Sequence, residues 1–76
     1  MDLARLHWAA RRRGMLELDV LFERYLTQQY DRAPAEEQKL FQELLEQNDQ
    51  LLFDWLVKHE PVTIGKFQGL IEKLQK

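Results

Sequence analysis

Leu18, Leu21, Phe22, Tyr25 and Leu26 place apolar side chains at i, i+3, i+4, i+7 and i+8. That is the period of an α-helix with one broad buried face, and no segment of the chain shows the sustained alternation of a half-buried strand. A chain with this pattern has to bury its apolar faces helix against helix. It has 76 residues with which to do so. The reading is therefore one small all-α domain over residues 1–76, with a stability on the order of 3–5 kcal/mol. There is no cysteine, so disulfides, thiolate metal sites and a cysteine nucleophile are excluded.

The helical period recurs along the chain and predicts a compact bundle of five short helices. The first runs from Leu3 to Arg12 behind Asp2 as N-cap, with Leu3, Leu6, Ala9 and Ala10 apolar. Gly14 interrupts it, since glycine costs about 1 kcal/mol relative to alanine inside a helix. The second runs from Met15 to Gln28. Pro34 suits the first position of the third helix, where Glu36 and Glu37 complement the dipole. That helix runs to Gln47 and buries Leu40, Phe41, Leu44 and Leu45. Asn48 or Asp49 then recaps the chain. The fourth helix, Gln50 to Lys58, is apolar nearly all round and is expected to be the most buried. Glu60-Pro61 ends it. Thr63 is read as the cap of a fifth helix with Ile64, Phe67, Leu70, Ile71 and Leu74 on one face. Gly65 and Gly69 weaken that helix, so it leans on tertiary contacts.

The net charge of −2 conceals a polarity. Residues 1–13 carry four arginines against one aspartate, whereas residues 14–60 carry eleven acids against four bases. A basic edge on an acidic body suits an oriented binding surface. No apolar run approaches the length of a membrane span, and MDLARLHWAARRR lacks the apolar core of a signal peptide. The expectation is a cytoplasmic protein without a membrane partner. Glu17 and Asp19 point to different sides of a helix, and Glu36 and Glu37 are adjacent in a first turn. Neither pair has the layout of an acid–base dyad. His7 and His59 have no partner at metal-ligand spacing. No phosphate-binding glycine loop or nucleophile elbow is present. These features argue against an enzyme and against a metal site.

The stretch HWAARRRGMLELD, residues 7–19, sets a glycine and three arginines beside an otherwise regular helix pattern. If the helix continued through Gly14, Arg13 and Glu17 would be an i, i+4 pair worth a few tenths of a kcal/mol. That reading leaves the glycine unexplained. A functional reading accounts for it. A residue without a side chain lets a partner's backbone approach, and the arginine fork and the carboxylate on either side orient the contact. A rival reading takes Arg5, Arg11, Arg12, Arg13 and Trp8 as a nucleic-acid contact. Against it stand the acidic balance of the chain, with a pI near 5.6, and the absence of a reader motif.

Arg13-Gly14-Met15-Leu16-Glu17 fits the pattern R-G-x-x-E. With RLHW at residues 5–8, Tyr30-Asp31 and LLEQNDQLLFDWL at residues 44–56, the chain resembles the flavinylation assembly factors of succinate dehydrogenase. These are the bacterial SdhE-type proteins and their mitochondrial relatives. The resemblance covers roughly residues 5–60. It implies a five-helix bundle that binds the flavoprotein subunit of succinate dehydrogenase, and in bacteria that of fumarate reductase. Such a factor promotes covalent attachment of FAD to a histidine of its client. It implies no tightly bound cofactor here, because the FAD belongs to the client. The free chain is taken to be monomeric. Carried over, Gly14 permits close approach, Glu17 makes the central polar contact and Arg13 pairs with client groups. Arg12, Arg5, Trp8 and Asp19 flank them. Tyr30 and Asp49 also match, with packing or capping as the alternative role. An antitoxin-type label attached to bacterial members keeps a nucleic-acid-associated regulator as the second reading. The chain departs from the family pattern by one extra residue between Trp8 and Gly14. In an unbroken helix this would turn Trp8 by about 100°.

Overall fold

The computed structural model describes residues 2–11 and 14–75. Among them the α-helices are α1 (Leu3–Arg11), α2 (Leu16–Gln28), α3 (Ala35–Leu44), α4 (Asp49–Leu56) and α5 (Gln68–Gln75). Single 3₁₀ turns at Tyr30–Arg32 and Gly65–Phe67 lead into α3 and α5, and the described residues contain no strand. The all-α, five-helix fold expected from the periodicity is the fold observed.

The ends of the helices are set by where orphan backbone groups find partners. Asp2 caps α1, its Oδ1 accepting from the Arg5 N–H at 2.9 Å. Asn48 caps α4, its Oδ1 accepting from the N–H groups of Gln50 and Leu51 at 2.8 and 3.3 Å. Helix α4 therefore starts at Asp49, one residue earlier than expected. Helix α3 stops at Leu44, three residues short of Gln47. There the Glu46 and Gln47 N–H groups turn to the carbonyls of Glu43 and Leu44, tightening the last turn. Pro34 precedes α3 in an extended conformation and is not its first residue. Helix α4 ends at Leu56, before Lys58. The N–H groups of Val57 and Lys58 share the Phe53 carbonyl, and that of Glu60 returns to Asp54. Thr63 is not a cap. Ile64 stands before the 3₁₀ turn, whose closing bond runs from the Phe67 N–H to the Ile64 carbonyl.

Helix α2 is packed against α1, α4 and α5, and α3 against α5. The inward face of α2 carries Leu18, Phe22, Tyr25 and Leu26, all buried. Leu21 is half-buried at the edge of that face, as are Ala9 on α1 and Leu40 on α3. Leu3 is exposed. Phe41 is fully buried among Tyr25, Tyr30 and Phe22, at ring-centroid distances of 4.6, 5.8 and 6.0 Å. Trp55 meets Phe67 at 6.1 Å on the other side of the core. Helix α4 is the most buried, with Gln50 its one exposed residue.

A polar link spans three helices. The Tyr25 hydroxyl donates to Glu37 Oε2 at 2.6 Å, and Lys73 Nζ donates to Glu37 Oε1 at 2.5 Å. Partial burial pushes the Glu37 carboxyl up, but the bonds from Lys73 and Tyr25 outweigh it and hold the group below its ordinary range. Burial, reinforced by the Glu37 carboxylate, pushes the Tyr25 hydroxyl up, so it stays a donor at neutral pH.

Two outcomes are expected in urea or thermal unfolding. Phe41→Ala leaves a cavity at the meeting point of three rings and costs about 3–5 kcal/mol, enough to unfold much of a chain this small. Glu37→Gln costs about 1–2 kcal/mol at neutral pH. Because the folded Glu37 carboxyl titrates below its unfolded value, its contribution is complete above the ordinary carboxylate range. It is lost as the pH falls through the folded value. The Glu37→Gln chain should therefore show a flatter acid limb in Tm against pH than the wild type.

Candidate functional site

The site is built around the break between α1 and α2. Gly14 has φ +71°, in the left-handed region that favours glycine. Met15 follows in an extended conformation and α2 begins at Leu16. No helix runs through Gly14, which removes the i, i+4 reading of Arg13 and Glu17. A Cβ built on Gly14 would meet nothing within 4 Å. The glycine is therefore required by its backbone angle and not by packing inside the chain, and the space in front of it is open.

Helix α1 is fastened to α2 by a clamp on the far side of this break. His7 Nδ1 lies 2.9 Å from Glu23 Oε2, and Arg11 Nη2 lies 2.9 Å from Glu23 Oε1. An ionised carboxylate accepts only, so His7 Nδ1 carries the proton. Partial burial raises the Glu23 carboxyl, and the hydrogen bonds from His7 and Arg11 more than reverse this, leaving it below its ordinary range. Spacing along the sequence gave no sign of this link, since its partners lie 16 and 12 residues apart on two helices.

Helix α2 opens without a side-chain cap, and Glu17 and Asp19 stand in its first turn, where negative charge suits the dipole. Glu17 is exposed and makes no ion pair or hydrogen bond through its side chain among the described residues. Asp19 is half-buried. Its Oδ1 is fully covered and has no hydrogen-bond partner among the described residues. Leu16 and Val20 lie one turn apart on either side of Glu17 and are 73% and 53% exposed. The helical period through Leu18, Leu21, Phe22, Tyr25 and Leu26 leaves both off the buried face.

The expected site residues do not share one cavity. Arg5 and Trp8 line a groove on α1 with Ala4 and Ala9, and Trp8 is 67% exposed. Glu17 lines a second groove with Leu16, Val20, Leu56 and Val57. Asp19 borders a third with Arg11, Glu23 and Arg24. Arg12 and Arg13 lie outside the described residues. Tyr30 is buried in the aromatic cluster and its hydroxyl accepts from Gln42 at 3.0 Å, so its place is in packing. Asp49 is the first residue of α4. Among the described residues no group of three or more His, Asp or Glu side chains is arranged to hold a metal ion. No helix among them is long and apolar enough to cross a membrane.

Together these features define a small helical protein in which the exposed side chains of Leu16, Glu17 and Val20 follow a glycine break between its first two helices. A family model described as flavinator of succinate dehydrogenase matches residues 4–76, and the chain belongs to that family. It is 39% identical over 72 residues to the FAD assembly factor SdhE of Coxiella burnetii, covering 95% of this chain and 87% of that one. It is 40% identical to the protein of that name from Colwellia psychrerythraea, over all of this chain and 82% of the other. A Shewanella oneidensis protein of the same name is 48% identical over 60 residues, 79% of this chain and 72% of its own length. No solved structure matches the chain.

Because the constraint at position 14 is angular, Gly14→Ala should lower stability by about 1–2 kcal/mol without loss of helix. Gly14→Asn should cost less, since asparagine tolerates the left-handed region. Urea unfolding followed by circular dichroism checks both. Equal cost for the two would mean that packing, and not the backbone angle, selects glycine.

Proposed function

We propose that this chain is an assembly chaperone that binds the flavoprotein subunit of succinate dehydrogenase and promotes covalent attachment of FAD to it. The observation that carries the reading is membership, over residues 4–76, of a family described as flavinator of succinate dehydrogenase. The geometry of the α1–α2 break supports Gly14 and Glu17 as the centre of the contact. Gly14 presents bare backbone to open space, and Glu17 presents a carboxylate with no partner of its own among the described residues. A cationic group of the client would complete it. Arg13 and Arg12, next in sequence, supply the opposite charge in this proposal, with Arg5, Trp8 and Asp19 at the flanks.

The chain acts by binding. A factor that holds one arrangement of its client more tightly than the others shifts the population toward it, by as much as its affinities for the two differ. The flavin and the residue it is joined to belong to the client. In this reading the chain holds no FAD tightly and contributes no catalytic group. It is monomeric when free and works in the cytoplasm, and the fumarate reductase flavoprotein is a second client.

The test is in-gel flavin fluorescence of the denatured succinate dehydrogenase flavoprotein from cells that lack this chain, supplied again with wild type or Glu17→Ala. Wild type should restore the signal, and Glu17→Ala should leave it at the level of the deficient cells, with unchanged circular dichroism of the purified variant. Equal fluorescence in all three would overturn the proposal.

A further inference from the structure

The second groove contains more than the family pattern uses. It runs from the first turns of α2 to the end of α4 and has a volume of about 470 Å³. Its walls are Leu16, Val20 and Leu21 on one side and Leu56 and Val57 on the other. Leu16 and Val20 are among the large apolar side chains that the fold leaves most exposed. The groove carries three polar residues, Glu17, His59 and Gln75.

His59 is held there at a cost. It is the one residue other than glycine with positive φ among the described residues, at +58°, in the turn that ends α4. Glycine is the usual occupant of such a position, since it takes the left-handed conformation without strain. Gln75 Nε2 donates to the Trp55 carbonyl at 2.9 Å and lies 3.1 Å from His59 Nδ1. The bond to a carbonyl fixes that atom as the amide nitrogen, so His59 Nδ1 accepts and the neutral ring carries its proton on Nε2. Nε2 has no partner among the described residues. The groove thus offers an acceptor at Glu17 and a donor at His59 with an apolar wall between them. Strain kept at a surface position is a pointer to use.

We propose that this groove seats an apolar side chain of the client flavoprotein, carried on a segment that gives a cationic or N–H donor to Glu17 and a carbonyl acceptor to His59. The groove is continuous with the Gly14–Glu17 surface through Glu17 itself, so one client segment can reach both. The client is the occupant because the contact proposed above already sets Glu17, at the mouth of the groove, against it. The inference therefore rests on the functional reading above. It extends the contact from α2 to Val20, Val57 and His59, which the R-G-x-x-E pattern does not include.

The experiment measures the affinity of the purified succinate dehydrogenase flavoprotein subunit for the full chain and for Val20→Ser, His59→Gly and Glu17→Ala, with Tm recorded for each. Val20→Ser changes an exposed side chain and should keep its Tm, and His59→Gly should keep or raise it because the strain is relieved. Both are expected to weaken client binding at least fivefold. For His59→Gly, affinity would then fall while stability holds or rises, which a purely structural role does not produce. If Val20→Ser and His59→Gly bind the client as wild type does, the groove is not part of the contact and the inference is overturned. In that event, loss of binding in Glu17→Ala would leave the functional reading standing, and wild-type binding by Glu17→Ala would remove that as well.

Discussion

Burial of one face of α2 is the constraint from which the rest of this structure follows. Leu18, Phe22, Tyr25 and Leu26 point inward, and α1, α4 and α5 close over that face. An α-helix of period 3.6 that commits one face to the core commits the opposite face to solvent. Leu16, Glu17 and Val20 are outward by the same geometry that makes Leu18 and Phe22 inward. Surface and core are two readings of one helix. A substitution that rotated or unwound α2 would alter both.

The glycine break determines what that outward face meets. With φ +71° at Gly14 the chain leaves α1 and enters α2 through an extended residue. The His7–Glu23–Arg11 clamp then fixes the first helix against the second. The left-handed angle, open space in front of it and, three residues on, a carboxylate with no partner among the described residues coincide at one place. Each has an ordinary explanation when taken alone. Their coincidence suits a protein that is docked upon, and family membership says which kind of client to look for.

The helices and most of their buried faces were legible in the sequence because periodicity and burial express the same physics. Helix ends were less so. Gln47 and Lys58 continue their helical patterns in composition, but the chain closes α3 and α4 earlier through backbone bonds that side-chain types do not announce. Thr63 had the chemistry of a cap, yet the turn that precedes α5 is made by the Ile64 carbonyl. The special role of Gly14 was visible as a breaker inside a motif, while its angle and its open surroundings were not. The division of Arg5, Trp8, Glu17 and Asp19 among separate grooves was invisible, since it depends on how two helices cross. The clamp through Glu23 and the donor at His59 were hidden for the same reason.

Hydrogen–deuterium exchange of the chain with and without the succinate dehydrogenase flavoprotein subunit tests most directly where the client docks. The amides that open α2 have no acceptor within the helix and exchange quickly in the free chain, so protection there has a low background. The account predicts client-dependent protection concentrated on residues 14–20, with little change across α3. Protection confined to α3, or none anywhere at saturating client, would contradict it.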